Sequence, residues 1–430
     1  MASERGIAGK IDWRHGFGLF VLAALALSAA AQNVVGPAKE RTLSSHFPSK
    51  PSLPPAYSIS TDPLGFSSPG PIYLGSRNTL ASLDFLDEDR LLFTFRVPGL
   101  LHRDPSGSDA GGERRIRAVV LALPGGTVQA QDTWTVHDRV RYLWMLQGGR
   151  FLLRDRNSLF EGGASLAMKS LFDFPGSLLD VEFDPGQQLL VTNSHEPVAK
   201  QKNASASAEA DEAASADGDL VVRILRRTTG QLLLVSRARS AVHLSINSEG
   251  YLEGLRGQGM NWMLNLDYFT GGSRMLGGVE STCMPDDNFI TDNLILAIGC
   301  GPYGESWLTA MTTAGRRLWK AQTPSTAVWP QLTVGLNGQR LALATLDISH
   351  SIDSFAPIGA EDVKEQSVTV FDSATGDIAL VSPLSPILDA GGNVAISPSG
   401  RRVALLNAGA IQIFELGAPP ALPAASAHER

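Results

Sequence analysis

The sequence of 430 residues is poor in cysteine and has no dense cluster of basic residues. Its two cysteines, Cys283 and Cys300, lack the two further nearby ligands that a zinc site requires, so their spacing is not a metal motif. Lysine and arginine are dispersed along a chain of net charge −7, which argues against a nucleic-acid-binding protein.

The chain also lacks the short motifs that identify common catalytic sites. It has no G-x-S-x-G nucleophile elbow, no phosphate-binding P-loop and no dinucleotide-binding fingerprint. The histidines at positions 137, 195, 243 and 350 are scattered, and none has another at the spacing of a metal site. The sequence therefore predicts no catalytic residue, no metal and no cofactor, and it favours a non-enzymatic role.

An apolar run near the N-terminus indicates export. Residues 17–31, FGLFVLAALALSAAA, follow several basic residues, and the run is short for a membrane span but typical of a signal peptide. Ala29 and Ala31 form a small-x-small cleavage site that leaves Gln32 as the first mature residue. We expect residues 1–31 to be a signal peptide and the protein to be periplasmic or secreted. An uncleaved anchor helix is the alternative.

Residues 32–71 are rich in proline and serine without sustained periodicity, which predicts an extended tether. From residue 72 to residue 416 the pattern changes to short apolar runs separated by turns, and residues 417–430 are expected to be a disordered tail. Seven segments have the form of a hairpin with an Asp-, Asn-, Pro- or Gly-containing turn. They are SLDFLDEDRLLFTF, YLWMLQGGRFLL, LLDVEFDPGQQLLVT, VHLSINSEGYLEGL, ESTCMPDDNFITDNLILAIG, QLTVGLNGQRLALAT and NVAISPSGRRVALL.

A second type of hairpin follows most of these segments and reveals a repeat. Its turn glycines, Gly230, Gly271, Gly315 and Gly376, are separated by 41, 44 and 61 residues, and the longest interval contains an extra polar loop. A four-stranded repeat of this length is typical of a propeller blade, so we expect an all-β, seven-bladed β-propeller. A solenoid is the alternative fold, and a count of six or eight blades follows if one unit has been merged or split.

The last unit, Val394–Leu416, shows only three strands. Because a closed ring removes sheet edges, we expect an N-terminal strand near residues 71–76, PIYLGS, to supply the fourth strand.

Two turn sequences carry a resemblance to known proteins. The segment DSATG at residues 372–376 and the segment AGRRLWKAQ, with Gly315 and Trp319, resemble blade motifs of WD-repeat-like and quinoprotein-like β-propellers of exported bacterial proteins. The resemblance covers residues 72–416 and implies a fold rather than a function. It does not extend to a quinone cofactor, because those enzymes use adjacent cysteines beside the quinone. Trp319 is therefore interpreted as a packing residue.

Three polar inserts interrupt the repeat, at residues 101–115, 195–219 and 348–366. Each falls between the second and third strands of its blade, so all three should lie on one face of the propeller. That placement is consistent with a partner site, and equally with neutral loop growth at tolerant positions.

Residues near the start of each innermost strand should line the central channel and are candidate ligands. The candidates are Asp84, Arg141, Asp180, His243, Glu280, Gln331 and Asn393. Asp180, His243 and Glu280 are the proposed ligand-binding residues, and the alternative is ordinary solvated channel lining. Cys283 and Cys300 are a candidate disulfide, with two buried free thiols as the alternative.

The sequence thus predicts an exported, non-enzymatic scaffold that binds a protein or a cell-envelope partner through its loop-decorated face. No nucleic-acid partner and no membrane span after signal removal are expected. The alternative function is a propeller hydrolase or lactonase with a metal held in the channel by acids such as Asp180 and Glu280. A role as an outer-membrane assembly factor would differ from the scaffold only in the identity of the partner.

Overall fold

Short antiparallel strands account for nearly all the regular structure of the described part of the chain. The computed structural model describes residues 39–44, 47–70, 74, 78–98, 113–138, 140–196, 220–240, 242–324, 329–348 and 361–423. Within these residues there are 28 strands and one short 3₁₀ turn, Asp62–Leu64. The expected signal peptide lies outside the described residues. No helix among the described residues is long and apolar enough to cross a membrane.

The strands form seven sheets, one for each blade, and the strands of each blade are given below from the innermost outward. Blade 1 contains β3 (Ala81–Phe85), β4 (Arg90–Arg96), β5 (Arg114–Ala122) and β6 (Thr127–Val136). Blade 2 contains β7 (Leu143–Leu146), β8 (Arg150–Asp155), β9 (Ser158–Gly163) and β10 (Met168–Asp173). Blade 3 contains β11 (Ser177–Phe183), β12 (Leu189–His195), β13 (Leu220–Arg226) and β14 (Leu232–Ala238).

Blade 4 contains β15 (Gly250–Arg256), β16 (Asn261–Tyr268) and β17 (Ser273–Glu280). Its innermost position is taken by residues 242–246, which meet β15 through an isolated bridge between Ile246 and Tyr251. Blade 5 contains β18 (Asp286–Thr291), β19 (Leu294–Cys300), β20 (Ser306–Thr312) and β21 (Arg317–Gln322). Blade 6 contains β22 (Gln331–Val334), β23 (Arg340–Ile348), β24 (Val363–Asp372) and β25 (Ile378–Leu384). Blade 7 contains β26 (Val394–Ile396), β27 (Arg402–Asn407) and β28 (Ala410–Glu415).

The apolar cores lie between neighbouring blades, as expected when both faces of each sheet are covered. Seven buried clusters of described residues each join one pair of adjacent blades. One of them packs Ala404, Leu406 and Ile413 of blade 7 against Phe93 and Val119 of blade 1. The blades therefore close into a ring, and the seven-bladed propeller expected from the repeat is confirmed, whereas the solenoid is wrong.

An N-terminal strand completes blade 7, but it is not the expected one. The strand β2 (Tyr57–Ser60) pairs antiparallel with β28, so the placement of this strand near residues 71–76 is wrong. Tyr57–Ser60 was overlooked because it is four residues long, half serine and flanked by prolines. Ile59 is buried in the core between blades 7 and 1. A Cβ on Gly126, in the outer turn of blade 1, would lie 2.8 Å from the Ile59 side chain, so only glycine fits beside the closing strand.

The segment expected to be a tether is attached to the propeller where the structure describes it. The strand β1 (Lys39–Thr42) adds to β21 in parallel on the outer edge of blade 5. Farther along, the Ser52 N–H donates to the Val381 carbonyl at 2.8 Å, on the outer edge of blade 6. With β2 on blade 7, the described residues 39–44 and 47–60 thus pair with three successive blades, 5, 6 and 7. An extended tether over the whole of residues 32–71 is therefore wrong.

The first residues of the expected C-terminal tail also contact the propeller. Arg340 Nη2 donates to the Gly417 carbonyl at 2.9 Å, and Leu422 packs against the core between blades 5 and 6. The end of the tail, residues 424–430, lies outside the described residues.

Candidate functional site

The two faces of the propeller differ in the connections that they carry. Because the strands of a blade alternate in direction, the loops between second and third strands leave the same face as the loops between blades. The three polar inserts connect β4 to β5, β12 to β13 and β23 to β24, so each follows the second strand of its blade. We call this face the insert face. Most insert residues, 99–112, 197–219 and 349–360, lie outside the described part of the chain.

The described loops of blades 4 and 5 on the insert face expose large apolar side chains. Met260 precedes β16 and is 45% exposed, Met284 lies between the two blades and is 61% exposed, and Tyr303 follows β19 and is 83% exposed. We call these three residues the apolar patch. Sequence reasoning missed the patch because no periodic pattern distinguishes a loop methionine from a core methionine.

Neighbouring side chains extend the apolar patch along blade 4. A Cβ on Gly254 would lie 3.7 Å from Cε3 of Trp262 and 3.8 Å from Cε of Met284, so these two side chains meet above the glycine. The Arg256 guanidinium lies 6.0 Å from the centre of the Trp262 ring, in the range of a cation–π contact. The apolar patch and its neighbours Trp262 and Arg256 therefore combine methionine, aromatic rings and arginine, residue types that are enriched at protein interfaces.

A disulfide anchors the loop that carries Met284. The structure joins Cys283 to Cys300 and has no free cysteine among the described residues. The Ser281 hydroxyl donates to the Cys283 carbonyl at 2.6 Å and accepts from the Cys300 N–H at 2.9 Å. The Thr282 N–H donates to the Cys300 carbonyl at 2.9 Å. These bonds hold residues 281–284 against the end of β19 beside Tyr303.

The double variant Cys283→Ser/Cys300→Ser is expected to lower the free energy of unfolding by about 3 kcal/mol. The bridge closes a loop of 17 residues, and opening it enlarges the unfolded ensemble. Denaturant unfolding of oxidised wild-type protein and of the variant measures the difference. Reduced wild-type protein is the control and should unfold at the midpoint of the variant. Equal midpoints for the oxidised protein and the variant would contradict the expectation.

Only some of the residues predicted to line the central channel lie on or beside innermost strands. Asp84, Asp180 and Gln331 lie on the innermost strands β3, β11 and β22. Arg141 lies two residues before β7, and His243 belongs to the innermost segment of blade 4. Asn393, next to β26, is fully buried and donates to Gln366 Oε1 at 2.7 Å, so its role is structural.

The placement of Glu280 in the channel is wrong. Glu280 ends the outermost strand of blade 4 and forms an ion pair with Lys320 on the outermost strand of blade 5. A hydrogen bond from Lys320 lowers the pKa of Glu280. The long turn after Glu280 concealed the start of the inner strand of blade 5, which begins at Asp286.

His243 is held between acids of two other blades that the sequence reasoning missed. Its Nδ1 lies 2.7 Å from Oε1 of Glu182 on blade 3, and its Nε2 lies 3.2 Å from Oδ1 of Asp286 on blade 5. Nε2 also lies 3.1 Å from the Asp287 carbonyl. Desolvation by burial alone would lower the pKa of His243, but the hydrogen bond and charge of Glu182, with Asp286, raise it to about 10. His243 is therefore an imidazolium at neutral pH, not a base or a metal ligand.

Arg141 precedes the innermost strand of blade 2, and acids of blades 1 and 3 influence its charge. Its charge interacts with those of Asp84, Asp180 and Glu182, while desolvation by the surrounding protein lowers its pKa. The side chain is nevertheless open to solvent, as expected for a group that lines a channel. Burial raises the pKa of Asp84 to about 6, against a hydrogen bond from Ser82 and the charge of Arg141. Burial and the neighbouring Glu182 raise the pKa of Asp180 to about 6.

The channel does not present a metal centre among the described residues. No three histidine, cysteine, aspartate or glutamate side chains in this part of the chain are arranged to hold a metal ion. Glu182 and Asp286 instead pair with His243, and the charges of Asp84 and Asp180 interact with that of Arg141.

Comparison with known proteins does not assign a family. No protein-family description matches the sequence, and no curated protein is similar to it. Solved structures with a similar fold include the C-terminal WD40 domain of Sif2, at 10% identity and a TM-score of 0.38 over 85% of this chain and 98% of that chain. The β-propeller domain of the trilobed protease from Pyrococcus furiosus has 9% identity and a TM-score of 0.41 over 79% of this chain and 94% of that chain.

A Pyrococcus horikoshii acylaminoacyl peptidase has 9% identity and a TM-score of 0.43 over 80% of this chain. This chain spans 52% of that peptidase. Likenesses this remote carry no argument about activity. The strand pairing and the cores between the blades define the seven-bladed β-propeller, and the comparisons add no family to it.

Proposed function

We propose that this protein is an exported, non-enzymatic scaffold that binds a protein partner through the insert face. The observation that supports this function is the apolar patch, Met260, Met284 and Tyr303, on described loops of that face. Exposed clusters of large apolar side chains on soluble proteins commonly mark interaction sites. A cell-envelope polymer is the other partner class that the insert face would suit.

The disulfide beside the patch supports both parts of the proposal. It holds the Met284 loop in place before a partner arrives, which reduces the entropy lost on binding. Disulfides also persist mainly in oxidising compartments, in agreement with the export expected from residues 1–31. The hydrolase alternative receives less support, because the described channel acids face Arg141 and His243 rather than a common metal position.

The test is affinity capture from cell-envelope extract with the chain from Gln32 onward and with Met284→Asp. A charge placed in the apolar patch should reduce the captured partner at least about tenfold, because a desolvated carboxylate without a partner disfavours the complex. Met275→Asp is the matched control, since Met275 is 53% exposed but lies on the outermost strand of blade 4, away from the insert face. The control should capture as much as wild type.

Two outcomes would contradict the scaffold function. One is capture of the same protein in equal amounts by wild type, Met284→Asp and Met275→Asp. The other is the absence of any captured protein from wild type under conditions in which the purified protein is folded.

A further inference from the structure

Arg256 is an exposed cation at the border of the apolar patch. It ends β15 and is the cross-strand partner of Trp262, so the two side chains lie on the same side of blade 4. Leu252 and Leu264, on that side, belong to the core between blades 4 and 5. The Arg256 guanidinium lies 6.0 Å from the centre of the Trp262 ring, which Met284 meets from the loop between the two blades. A positive charge therefore borders the apolar patch.

The charge of Arg256 has no counterpart in the described part of the chain. No carboxylate of these residues lies within ion-pair distance of its guanidinium. The basic side chains on the outermost strand of blade 5 differ in this respect, since Lys320 forms an ion pair with Glu280. Arg317 Nη2 donates to the Gly278 carbonyl at 3.1 Å. Among these three described cations, Arg256 is the one available to a carboxylate from a partner.

The loop that presents Tyr303 is ordered by contacts within the protein. Glu305 is only 6% exposed; its Oε2 accepts from the Tyr303 N–H at 2.9 Å, and its carbonyl accepts from the Gly301 N–H at 2.7 Å. A Cβ on Gly301 would lie 2.2 Å from the Glu305 carboxyl carbon, so only glycine fits there. Because the loop is already ordered, little conformational entropy is lost when a partner contacts the exposed Tyr303 ring.

A single cation beside apolar side chains suits a partner of particular chemistry. Arginine binds a carboxylate through two parallel hydrogen bonds, and apolar neighbours that exclude water strengthen such an ion pair. An anionic membrane or a nucleic acid requires a cluster of basic residues instead. The net charge of −7 does not oppose a local ion pair, because exposed charges farther away than about 8 Å are screened at physiological ionic strength.

We propose that the apolar patch binds an acidic–apolar protein segment, in which an aspartate or glutamate side chain pairs with Arg256. Large apolar side chains that flank this acid in the partner pack on Met284 and Tyr303. The inference rests on the proposed scaffold function and specifies the chemistry of its protein partner. Arg256 determines the specificity, because the ion pair separates acidic segments from neutral and basic ones, whereas the apolar contacts do not.

Fluorescence anisotropy with three labelled synthetic peptides tests this chemistry. Each peptide carries phenylalanine and leucine on both sides of two central residues, which are aspartate, asparagine or lysine. With the purified protein at low ionic strength, we expect the aspartate peptide to bind saturably and at least about tenfold more tightly than the lysine peptide, with the asparagine peptide between them. Added salt should reduce this preference, because it screens the ion pair.

Variants of Arg256 assign the preference to this side chain. Arg256→Gln should abolish the preference for the aspartate peptide, and Arg256→Lys should retain part of it, because lysine keeps the charge but not the paired hydrogen bonds. Arg316→Gln is the matched control, since Arg316 is also exposed but lies in the turn between β20 and β21, on the face opposite the inserts. The control should bind all three peptides as wild type does. Circular dichroism establishes that each variant is folded.

Four results would overturn the proposal. They are lysine-peptide binding as tight as aspartate-peptide binding, an unchanged preference in Arg256→Gln, no saturable binding of any peptide at millimolar concentration, and displacement of the aspartate peptide by phosphatidylglycerol vesicles. The last result would make the patch a membrane-binding surface.

These results are distinct from a failure of the scaffold function. If capture from envelope extract depends on Met284 while Arg256→Gln keeps the wild-type preference, the scaffold function stands and the acidic partner is rejected. If wild type captures nothing but prefers the aspartate peptide through Arg256, the scaffold function fails and the peptide site stands.

Discussion

Replacing Trp319 with alanine is expected to lower the free energy of unfolding by about 3–5 kcal/mol. Trp319 lies on the outermost strand of blade 5 and is 0% exposed. Its Nε1 donates to the Ser373 carbonyl of blade 6 at 2.8 Å, and its ring stacks on Phe371, with the ring centres 5.9 Å apart. Alanine would leave a cavity between blades 5 and 6 and an unpaired carbonyl beside it.

The backbone of blade 6 is shaped around the same ring. Gly376 has a φ of +66°, and a Cβ there would lie 2.6 Å from Trp319. The DSATG turn of blade 6 is therefore the receptor for the tryptophan of blade 5, and the glycine is required both by the turn and by the close approach.

Denaturant unfolding followed by circular dichroism measures the effect of Trp319→Ala. Trp307→Ala is the matched control, because Trp307 is half-buried and its ring centre lies 4.3 Å from Nζ of Lys320 in the same blade. The control should lose clearly less stability than Trp319→Ala. If the two variants unfold at the same midpoint, Trp319 does not hold blades 5 and 6 together in solution.

Replacing Ile59 with alanine is expected to cost about 2–5 kcal/mol of unfolding free energy. Ile59 is the buried residue of the closing strand β2, and it fills the core that joins blade 7 to blade 1. The cost should be large for so short a strand, because this core completes the ring and its loss exposes the edges of the first and last blades.

Thermal unfolding of Ile59→Ala and of Ser58→Ala separates core packing from strand pairing. Ser58 is the exposed neighbour on the same strand, and its replacement leaves the backbone pairing with β28 intact. We expect Ser58→Ala to unfold close to wild type. An Ile59→Ala variant as stable as Ser58→Ala would show that the ring does not depend on the closing strand.

The hairpins and the repeat were predictable because they are local. Each of the seven hairpins expected from the sequence covers the two innermost segments of a blade, although ESTCMPDDNFITDNLILAIG begins too early, at Glu280 of the preceding blade. Short apolar runs and turn residues a few positions apart are sufficient to define such a hairpin. The three inserts also lie where the repeat placed them, between second and third strands.

The closing strand and the acids around His243 were not predictable to the same degree. The strand β2 joins β28 across more than 340 residues, and four residues between prolines carry little strand signal. Glu182, His243 and Asp286 lie on the innermost segments of blades 3, 4 and 5. They come together only because the packing of these three blades sets the relative positions of the segments along the axis. Glu280 was misplaced because the inner strand of blade 5 begins only at Asp286, after a long turn.

The sequence by itself determined the all-β class, the blade repeat and the face that carries the inserts, because turn chemistry and alternating strands act over a few residues. The tertiary structure alone decided which segment closes the ring, that Trp319 packs on Gly376, and that His243 lies between acids of two other blades. Those contacts depend on the relative positions of separate blades, which follow from packing over the whole ring and not from any local pattern.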